Sequence, residues 1–402
     1  MSKSQTIRFM PLETPASPRP TIDRTPSNSG KMWAIVRSMF ILLVCFWIGY
    51  LMAVVGPSLE EEQKASIKYR YRRFSDYLGL RGKLFDSTSG ADDVLQRSIL
   101  PPSSDSDSSR FNYVLIPLTS VDKMQYHKQR FEACMQSILD KSTIPLHFYF
   151  VVDEPSKRYL KGAMRDFEYR FGSRIQIRYD FLDQQSLAAQ LAPYVSVVQR
   201  IVSGNTKGYY NQSIFFLSVG IHKNILPDFV HRIIMLDTDL KFLSDIEGLF
   251  AHFDNFGEEN VMGLAYDQQP TYRDAFSVYR LSQPNTRVGS PPSQGFPGFN
   301  SGVLLLNIDR MRSSKIYNVF LDPRVATALT KKYSFMGQLG DQDFYSLVGN
   351  EKENLFYVLP CSWNRHLCRN MYQKYPDVFE SYFNCDGKIH VYHGSCNTTI
   401  PV

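Results

Sequence analysis

The chain has 402 residues, 43% of them apolar and 14% aromatic, which is enough for one large domain or two with a substantial core. Its formal charge is a mild +6, and no block of Lys and Arg is interleaved with aromatics over an extended surface. That pattern argues against nucleic acid as a partner.

Residues 1–37 open with Pro11, Pro15, Pro18, Pro20 and Pro26 among Ser and Thr, the composition of a disordered tail. Ser38 to Gly56 then runs without a charge. As a helix it would span about 29 Å, close to the roughly 30 Å hydrocarbon core of a bilayer, and is expected to cross it. Lys31 and Arg37 precede this run and Glu60, Glu61 and Glu62 follow it, which puts the amino terminus in the cytosol and the rest of the chain in a lumen. A cleaved signal peptide is the competing reading. The long preceding segment, the length of the apolar run and the lack of an A-x-A-like site favour an uncleaved anchor. Residues 57–109 read as a lumenal stem, helical from Glu60 to Leu78 and ending in a Pro- and Ser-rich linker. The basic stretch Lys68 to Arg73 either touches lipid headgroups or forms a solvated helix face, the second being the plainer account.

Residues 110–402 form the expected lumenal domain. Phe111 to Pro117, Leu146 to Val152 and Arg174 to Phe181 have the apolar content of strands, and Lys123 to Leu139 and Lys157 to Phe171 the spacing of helices. Further helices are expected over Ser186 to Val202 and Gln212 to Ile225. This βαβ rhythm predicts an α/β fold with a mostly parallel central sheet flanked by helices.

Arg232 to Leu236 is a short apolar strand that stops at Asp237 and Asp239. Two carboxylates at i and i+2 leave the strand end on the same side, where open α/β sheets place ligands and hard oxygen donors suit a divalent cation. The same spacing recurs at Asp105 and Asp107, in the linker, and at Asp341 and Asp343, so spacing alone does not define a site. Leu243 to Phe253 predicts a helix capped by Ser244, and Val261 to Ala265 another buried strand. Asp267 to Phe299 is a long polar stretch rich in Pro and Gly, of the kind that is functional or disordered inside a domain. It leads into the strand Phe299 to Asn307, where Gly302 either lets a ligand approach the backbone or serves strand packing. Asp341 or Asp343 is a helix-start carboxylate on the plainest reading. Lys388 to Gly394 reads as a strand ending in His393, which with two Asp elsewhere can complete a metal site.

Cys134 lies in an apolar helical stretch, as a buried free thiol. Cys361, Cys368, Cys385 and Cys396 fit two disulfides in an oxidising compartment, with three pairings open; zinc is the alternative, although no C-x-x-C pair occurs. The sequons at Asn211 and Asn397 permit lumenal N-glycans.

Leu236-Asp237-Thr238-Asp239, Phe299-Asn300-Ser301-Gly302-Val303, Gly340-Asp341-Gln342-Asp343 and His393-Gly394, in that order, resemble the motifs of retaining glycosyltransferase family 8. Within it, Asn285 to Gly289, Pro297 to Val303, Leu339 to Phe344, Trp363-Asn364-Arg365 and Tyr392 to Thr398 are most similar to its xyloside xylosyltransferases. Enzymes of that type sit in the endoplasmic reticulum membrane and add xylose, in alpha-1,3 linkage, to xylose-glucose on epidermal-growth-factor-like repeats, including those of Notch. The resemblance implies a GT-A fold, UDP-xylose as donor, manganese or in its place magnesium, and a single-pass type II protein of that membrane, the Golgi being the second choice.

By position, the resemblance makes Asp237, Asp239 and His393 the metal ligands. It sets Thr238 against the ribose, Thr119 and Ser120 near the uridine, and Asn300, Ser301 and Asp341 on donor-sugar hydroxyls, with Gly302 and Gly394 beside the nucleotide sugar. Gln342 would face the anomeric carbon. Retention normally calls for a carboxylate nucleophile. An amide in that place implies front-face transfer, with the leaving phosphate helping to deprotonate the acceptor. The resemblance also implies the pairs Cys361 with Cys385 and Cys368 with Cys396.

Exposed aromatics and amides suit contacts with sugar and protein, which makes Gln268, Gln269, Tyr272, Trp363 and Asn364 acceptor candidates, together with Asn397. Trp363 as a core anchor beside the disulfides is the other reading. Relatives carry an aromatic-Thr-Lys sequence where this chain has Leu118-Thr119-Ser120, and paired Trp where it has Arg369-Asn370-Met371-Tyr372. The alternatives in function are a family 8 transferase with another UDP-sugar or glycan acceptor, and a lumenal module that binds glycoproteins without catalysis.

Overall fold

A computed structural model describes residues 110–202 and 213–401. The expected tail, membrane span and stem, the linker pair Asp105 and Asp107, and the sequon at Asn211 lie outside the described residues. Among the described residues no helix is long and apolar enough to cross a membrane.

Seven strands form the central sheet: β1 (Asn112–Leu118), β2 (Leu146–Val152), β3 (Ile177–Asp183), β4 (Arg232–Leu236), β6 (Met262–Tyr266), β7 (Phe299–Asn307) and β8 (Phe356–Val358), in the order β3-β2-β1-β4-β7-β6-β8. β3, β2, β1 and β4 run parallel, as do β6 and β8, while β7 lies antiparallel between β4 and β6. The mostly parallel sheet is therefore present, with one reversed strand in its middle. Alternate residues of each strand enter different cores. Leu115, Val151 and Ile233 pack on one face, and Ile116, Phe150 and Ile234 on the other. A sheet covered on both faces needs apolar residues at consecutive positions, which is why β2 and β4 read as unbroken apolar runs.

The helix Gln125–Lys141 buries Phe131, Cys134, Met135, Ile138 and Leu139, a stripe at helical spacing. Glu154–Phe171 begins at Asp153, whose side chain accepts from Ser156 N, and buries Leu160, Met164, Phe167 and Phe171. Gln184–Val202 covers the other face through Leu187, Leu191, Val195 and Val198. The helix expected to reach Ile225 is shorter than the pattern suggests: Ser213–Phe216 is a 3-10 turn and only Leu217–Gly220 is α-helical.

A second, three-stranded sheet has the order β5-β10-β9, formed by β5 (Leu240–Phe242), β10 (Val391–His393) and β9 (Arg365–His366). β5 begins directly after Asp239, and the helix expected from Leu243 starts only at Glu247. Ser244 does not cap it. The Ser244 hydroxyl bonds His390 Nδ1 at 2.8 Å, and Asp245 Oδ1 accepts from Glu247 N at 2.9 Å. The disulfides pair Cys361 with Cys385 and Cys368 with Cys396, as the family resemblance implied, and Cys134 is buried and free. The stretch from Asp267 to Phe299 is ordered by two short helices, Thr271–Ala275 and Ser277–Ser282.

Candidate active site

Register in the small sheet builds the acidic centre. β5 follows Asp239 directly, and β10 pairs with it so that His393 lies opposite Leu240. The Gly394 N–H donates to Asp239 O at 2.8 Å and closes this end of the ladder. His393 Nε2 consequently sits 3.4 Å from Asp239 Oδ1 and 3.7 Å from Asp237 Oδ2. One donor atom from each of Asp237, Asp239 and His393 falls within 4.8 Å of the others.

The charges at this centre are frustrated without a cation. Partial burial, and next the Asp239 carboxylate, push Asp237 up to about 7. Half of the Asp237 side chain is exposed, so repulsion by its neighbour is the cause that matters most. Burial opposes the charged form of Asp239 too, but His393 and Arg130 outweigh it and hold that carboxyl below its usual value. Burial disfavours a charged His393, and Asp239 and Asp237 nevertheless raise its pKa. Two carboxylate oxygens and an imidazole nitrogen converging from three segments fit a divalent ion such as manganese, and relief of this repulsion would favour its binding.

Opposite that centre, the helix Asp341–Glu351 begins after Gly340, whose φ of +73° suits a residue without a side chain. Asp341 is not merely a helix-start carboxylate. Ser301 Oγ donates to its Oδ1 at 2.8 Å, and Ser218 Oγ, itself held by Tyr345 OH at 2.7 Å, donates to Oδ2. Burial still pushes Asp341 up to about 6 against those bonds. Asp343 takes the helix-start role instead, accepting from Leu339 N and from Tyr272 OH. Gln342 Oε1 accepts from Asn300 Nδ2 at 3.0 Å and from Ser301 N at 3.4 Å. Asn300, Ser301, Asp341 and Gln342 are thus one bonded group at the β7 edge.

Gly302 meets a protein group at its open face. A Cβ there would lie 2.3 Å from His393 Cε1, so the residue makes room for the histidine itself. Thr238 is partly exposed between the two aspartates. Thr119 and Ser120 follow β1, the parallel neighbour of β4, at the same sheet edge. Ser120 has a φ of +61° and donates its N–H to Asp153 Oδ2 at 2.9 Å.

The acceptor candidates require correction, because the exposure on which they were chosen is absent for most of them. Tyr272 is fully buried and its hydroxyl is engaged by Asp343. Gln268 is buried, donating to Asn364 O at 2.7 Å and accepting from Arg365 Nη1 at 2.8 Å. Gln269 is buried with its Oε1 on Met371 N. Trp363 is the core anchor of the other reading, stacked on His390 at 4.3 Å. Asn364 is wholly buried and bonds His393 Nδ1 at 2.9 Å. Asn397 alone of the six is exposed, with a φ of +60°. Loop polarity misled here because these amides and this hydroxyl satisfy buried partners.

Three contributors escaped the sequence reading. Arg130 lies 3.3 Å from Asp239 Oδ2, and Ser218 and Tyr345 support Asp341. Tyr345 is one helical turn beyond Asp341, a spacing that could have flagged it. Arg130 is separated from Asp239 by 109 positions, and no local pattern joins them.

A mostly parallel α/β sheet with an acidic centre at the carboxyl end of β4 and a polar group facing it from β7 defines a GT-A-like glycosyltransferase fold. The family model described as glycosyl transferase family 8 matches residues 111–384, and the chain belongs to that family. It is similar to xyloside xylosyltransferase 1 of Mus musculus and of Homo sapiens, at 44% identity over 257 residues in each. Those alignments cover 64% of this chain and 65% of the relative, so the chain spans just under two thirds of the curated relatives' length. The crystal structure of mouse xyloside xylosyltransferase 1 in its apo form matches with a TM-score of 0.69 and 40% identity, over 72% of this chain and 100% of that one.

Proposed function

We propose that this chain is a retaining xylosyltransferase. It takes xylose from UDP-xylose and places it, in alpha-1,3 linkage, on the xylose of O-linked xylose-glucose carried by epidermal-growth-factor-like repeats of Notch-type glycoproteins. On this reading it is a single-pass type II protein of the endoplasmic reticulum membrane, with residues 110–402 in the lumen. The observation that carries the reading is the convergence of Asp237, Asp239 and His393 opposite the bonded group of Asn300, Ser301, Asp341 and Gln342. Similarity to xyloside xylosyltransferase 1 supports the choice of sugar.

Asp237, Asp239 and His393 would hold manganese, or magnesium in its place, and the ion would offset charge on the departing diphosphate. The chain's own part is orientation. Asp341, anchored by Ser218 and Ser301, presents a fixed acidic edge for sugar hydroxyls, and Thr238, Thr119 and Ser120 lie at the sheet edge expected to take the nucleotide. Gln342 is held at its carbonyl oxygen by two donors, so its position relative to β7 is set before substrate arrives.

The test is transfer by the full chain, in detergent with manganese, from a panel of UDP-sugars to a folded repeat bearing xylose-glucose. Gain of one pentose from UDP-xylose alone, abolished by EDTA, is the expected result. Hydrolysis of UDP-xylose without transfer would remove the proposed acceptor, and transfer from UDP-glucose or UDP-galactose would replace the donor. Binding of the repeat with no turnover of any donor would favour a glycoprotein-binding module.

A further inference from the structure

Asn300 and Asn364 run in an unbroken line between Gln342 and His393, and main-chain donors decide the direction of every hydrogen bond along it. The Gly302 N–H donates to Asn300 Oδ1 at 3.0 Å. A main-chain N–H can only donate, so that atom is the amide oxygen and Asn300 Nδ2 is the group turned to Gln342. Gln342 must answer with Oε1, and the Ser301 N–H, at 3.4 Å from the same atom, independently requires it. Asn364 Nδ2 donates to Asn300 Oδ1 at 2.9 Å, which leaves Asn364 Oδ1 facing His393 Nδ1 at 2.9 Å. That oxygen only accepts, so Nδ1 carries a proton, and in the neutral ring Nε2 turns a bare lone pair toward Asp237 and Asp239. A flipped Asn364 would present its NH2 to Nδ1, move the proton to Nε2, and set its oxygen against Asn300 Oδ1.

We propose that Asn364 is a positioning residue for the metal centre: held in direction by Asn300, whose own amide the Gly302 N–H fixes, it sets His393 in the cation-binding tautomer. This rests on the reading of Asp237, Asp239 and His393 as a metal site. The residue is suited to the task because a flip of its amide would set oxygen against oxygen at Asn300 Oδ1. Asn364 is wholly buried, and Gln268 Nε2 holds its main-chain oxygen at 2.7 Å. Gln268 Oε1 in turn accepts from Arg365 Nη1 at 2.8 Å and from His366 N at 3.2 Å, which fixes the direction of that amide as well.

The experiment measures Mn2+ binding to the full chain in detergent, from the electron paramagnetic resonance signal of free Mn2+, for the parent, Asn364→Ala and Asn364→Asp. Asn364→Ala removes both bonds and should weaken Mn2+ binding by about 10–100-fold, the usual cost of losing a group that orients a metal-bound histidine. Asn364→Asp keeps an acceptor for Nδ1–H but has no donor for Asn300. It should bind Mn2+ no more weakly than the parent, and a loss as large as that of Asn364→Ala in the folded protein overturns the role given to the Nδ1 acceptor. Circular dichroism establishes that each variant is folded.

Parent-like Mn2+ affinity in folded Asn364→Ala overturns the proposal and leaves the metal site standing. Absence of Mn2+ binding by the parent, or binding untouched by Asp237→Asn, overturns the metal reading and the proposal with it. Should Asn364→Ala not fold, the metal-free parent decides through histidine 15N shifts at a pH where His393 is neutral, with His393 assigned by its loss in His393→Ala. A proton on Nδ1 and none on Nε2 supports the proposal, and a proton on Nε2 overturns it.

Discussion

Replacing Gly302 with Ala tests whether the histidine, rather than a ligand, is what this glycine accommodates. The added Cβ would lie 2.3 Å from His393 Cε1, 2.8 Å from its Nδ1 and 3.1 Å from Asn300 Oδ1. To regain an ordinary carbon contact of about 3.5 Å the ring must retreat by roughly 1 Å. His393 is 3% exposed and tied at Nδ1 to Asn364, so retreat breaks that bond or carries Nε2 away from the aspartates. Overpacking of this kind costs about 1–3 kcal/mol, and for a domain of this size each kcal/mol lowers Tm by about 2–4 °C. Displacing a metal ligand should further weaken Mn2+ binding by about 10–100-fold, comparable with the loss of its orienting partner. Thermal unfolding with EDTA reads the first effect, and the rise in Tm on adding Mn2+ reads the second. A Gly302→Ala protein with the parent's Tm and the parent's response to Mn2+ would refute the reasoning.

Asp237→Asn should lower transfer by about 100-fold or more, since it removes a group placed for charge developing in the transition state. Its metal-free Tm should not fall, because the substitution relieves repulsion from Asp239; a large loss of metal-free stability would show that the carboxylate is structural. Asp343 gives a pH test away from the proposed ligands. Burial pushes its carboxyl up from 3.8 to about 7, so the folded chain holds this proton more tightly than the unfolded one. Stability from this group is therefore complete below about pH 4 and is lost as pH rises toward 7. Asp343→Asn cannot ionise and should gain on the parent across that window in urea denaturation with EDTA; a constant difference from pH 4 to 8 would count against it. Replacing Cys368 and Cys396 together with Ser opens a bridge across 28 positions and should cost about 3.5 kcal/mol. Because Cys396 lies three positions after His393, Mn2+ affinity should fall as well, and a variant with reduced Tm but unchanged affinity would separate the bridge from the site.

Strands β1, β2 and β4, the helices that cover them and the carboxylates after Leu236 were legible because each is a local pattern. Consecutive apolar residues mark a strand buried on both faces, and helical spacing marks Phe131, Cys134 and Ile138 as one stripe. Motif order pointed to the family through Asn300, Gln342 and His393. Solvent exposure had no such signature. Gln268, Gln269 and Tyr272 read as a surface loop because the segment is polar, yet each satisfies a buried partner supplied by a distant stretch of chain. The helix expected from Leu243 begins only at Glu247 for the same kind of reason, since His390, from a distant stretch of chain, takes the Leu243 N–H on its main-chain oxygen and bonds the Ser244 hydroxyl.

The sequence by itself determined which residue types were available for the chemistry: two acids after a buried strand, a histidine closing another, an amide beside an acid at a helix start, and four cysteines near the carboxyl end. Only the tertiary structure decided which atoms do what. It set Leu240 opposite His393, brought Arg130 across 109 positions to Asp239, and aligned Asn300 and Asn364 so that backbone N–H groups dictate the face His393 turns to the acids. Hydrogen-bond direction depends on which donor is opposite which acceptor, and that pairing exists only once β7, β9 and β10 have converged.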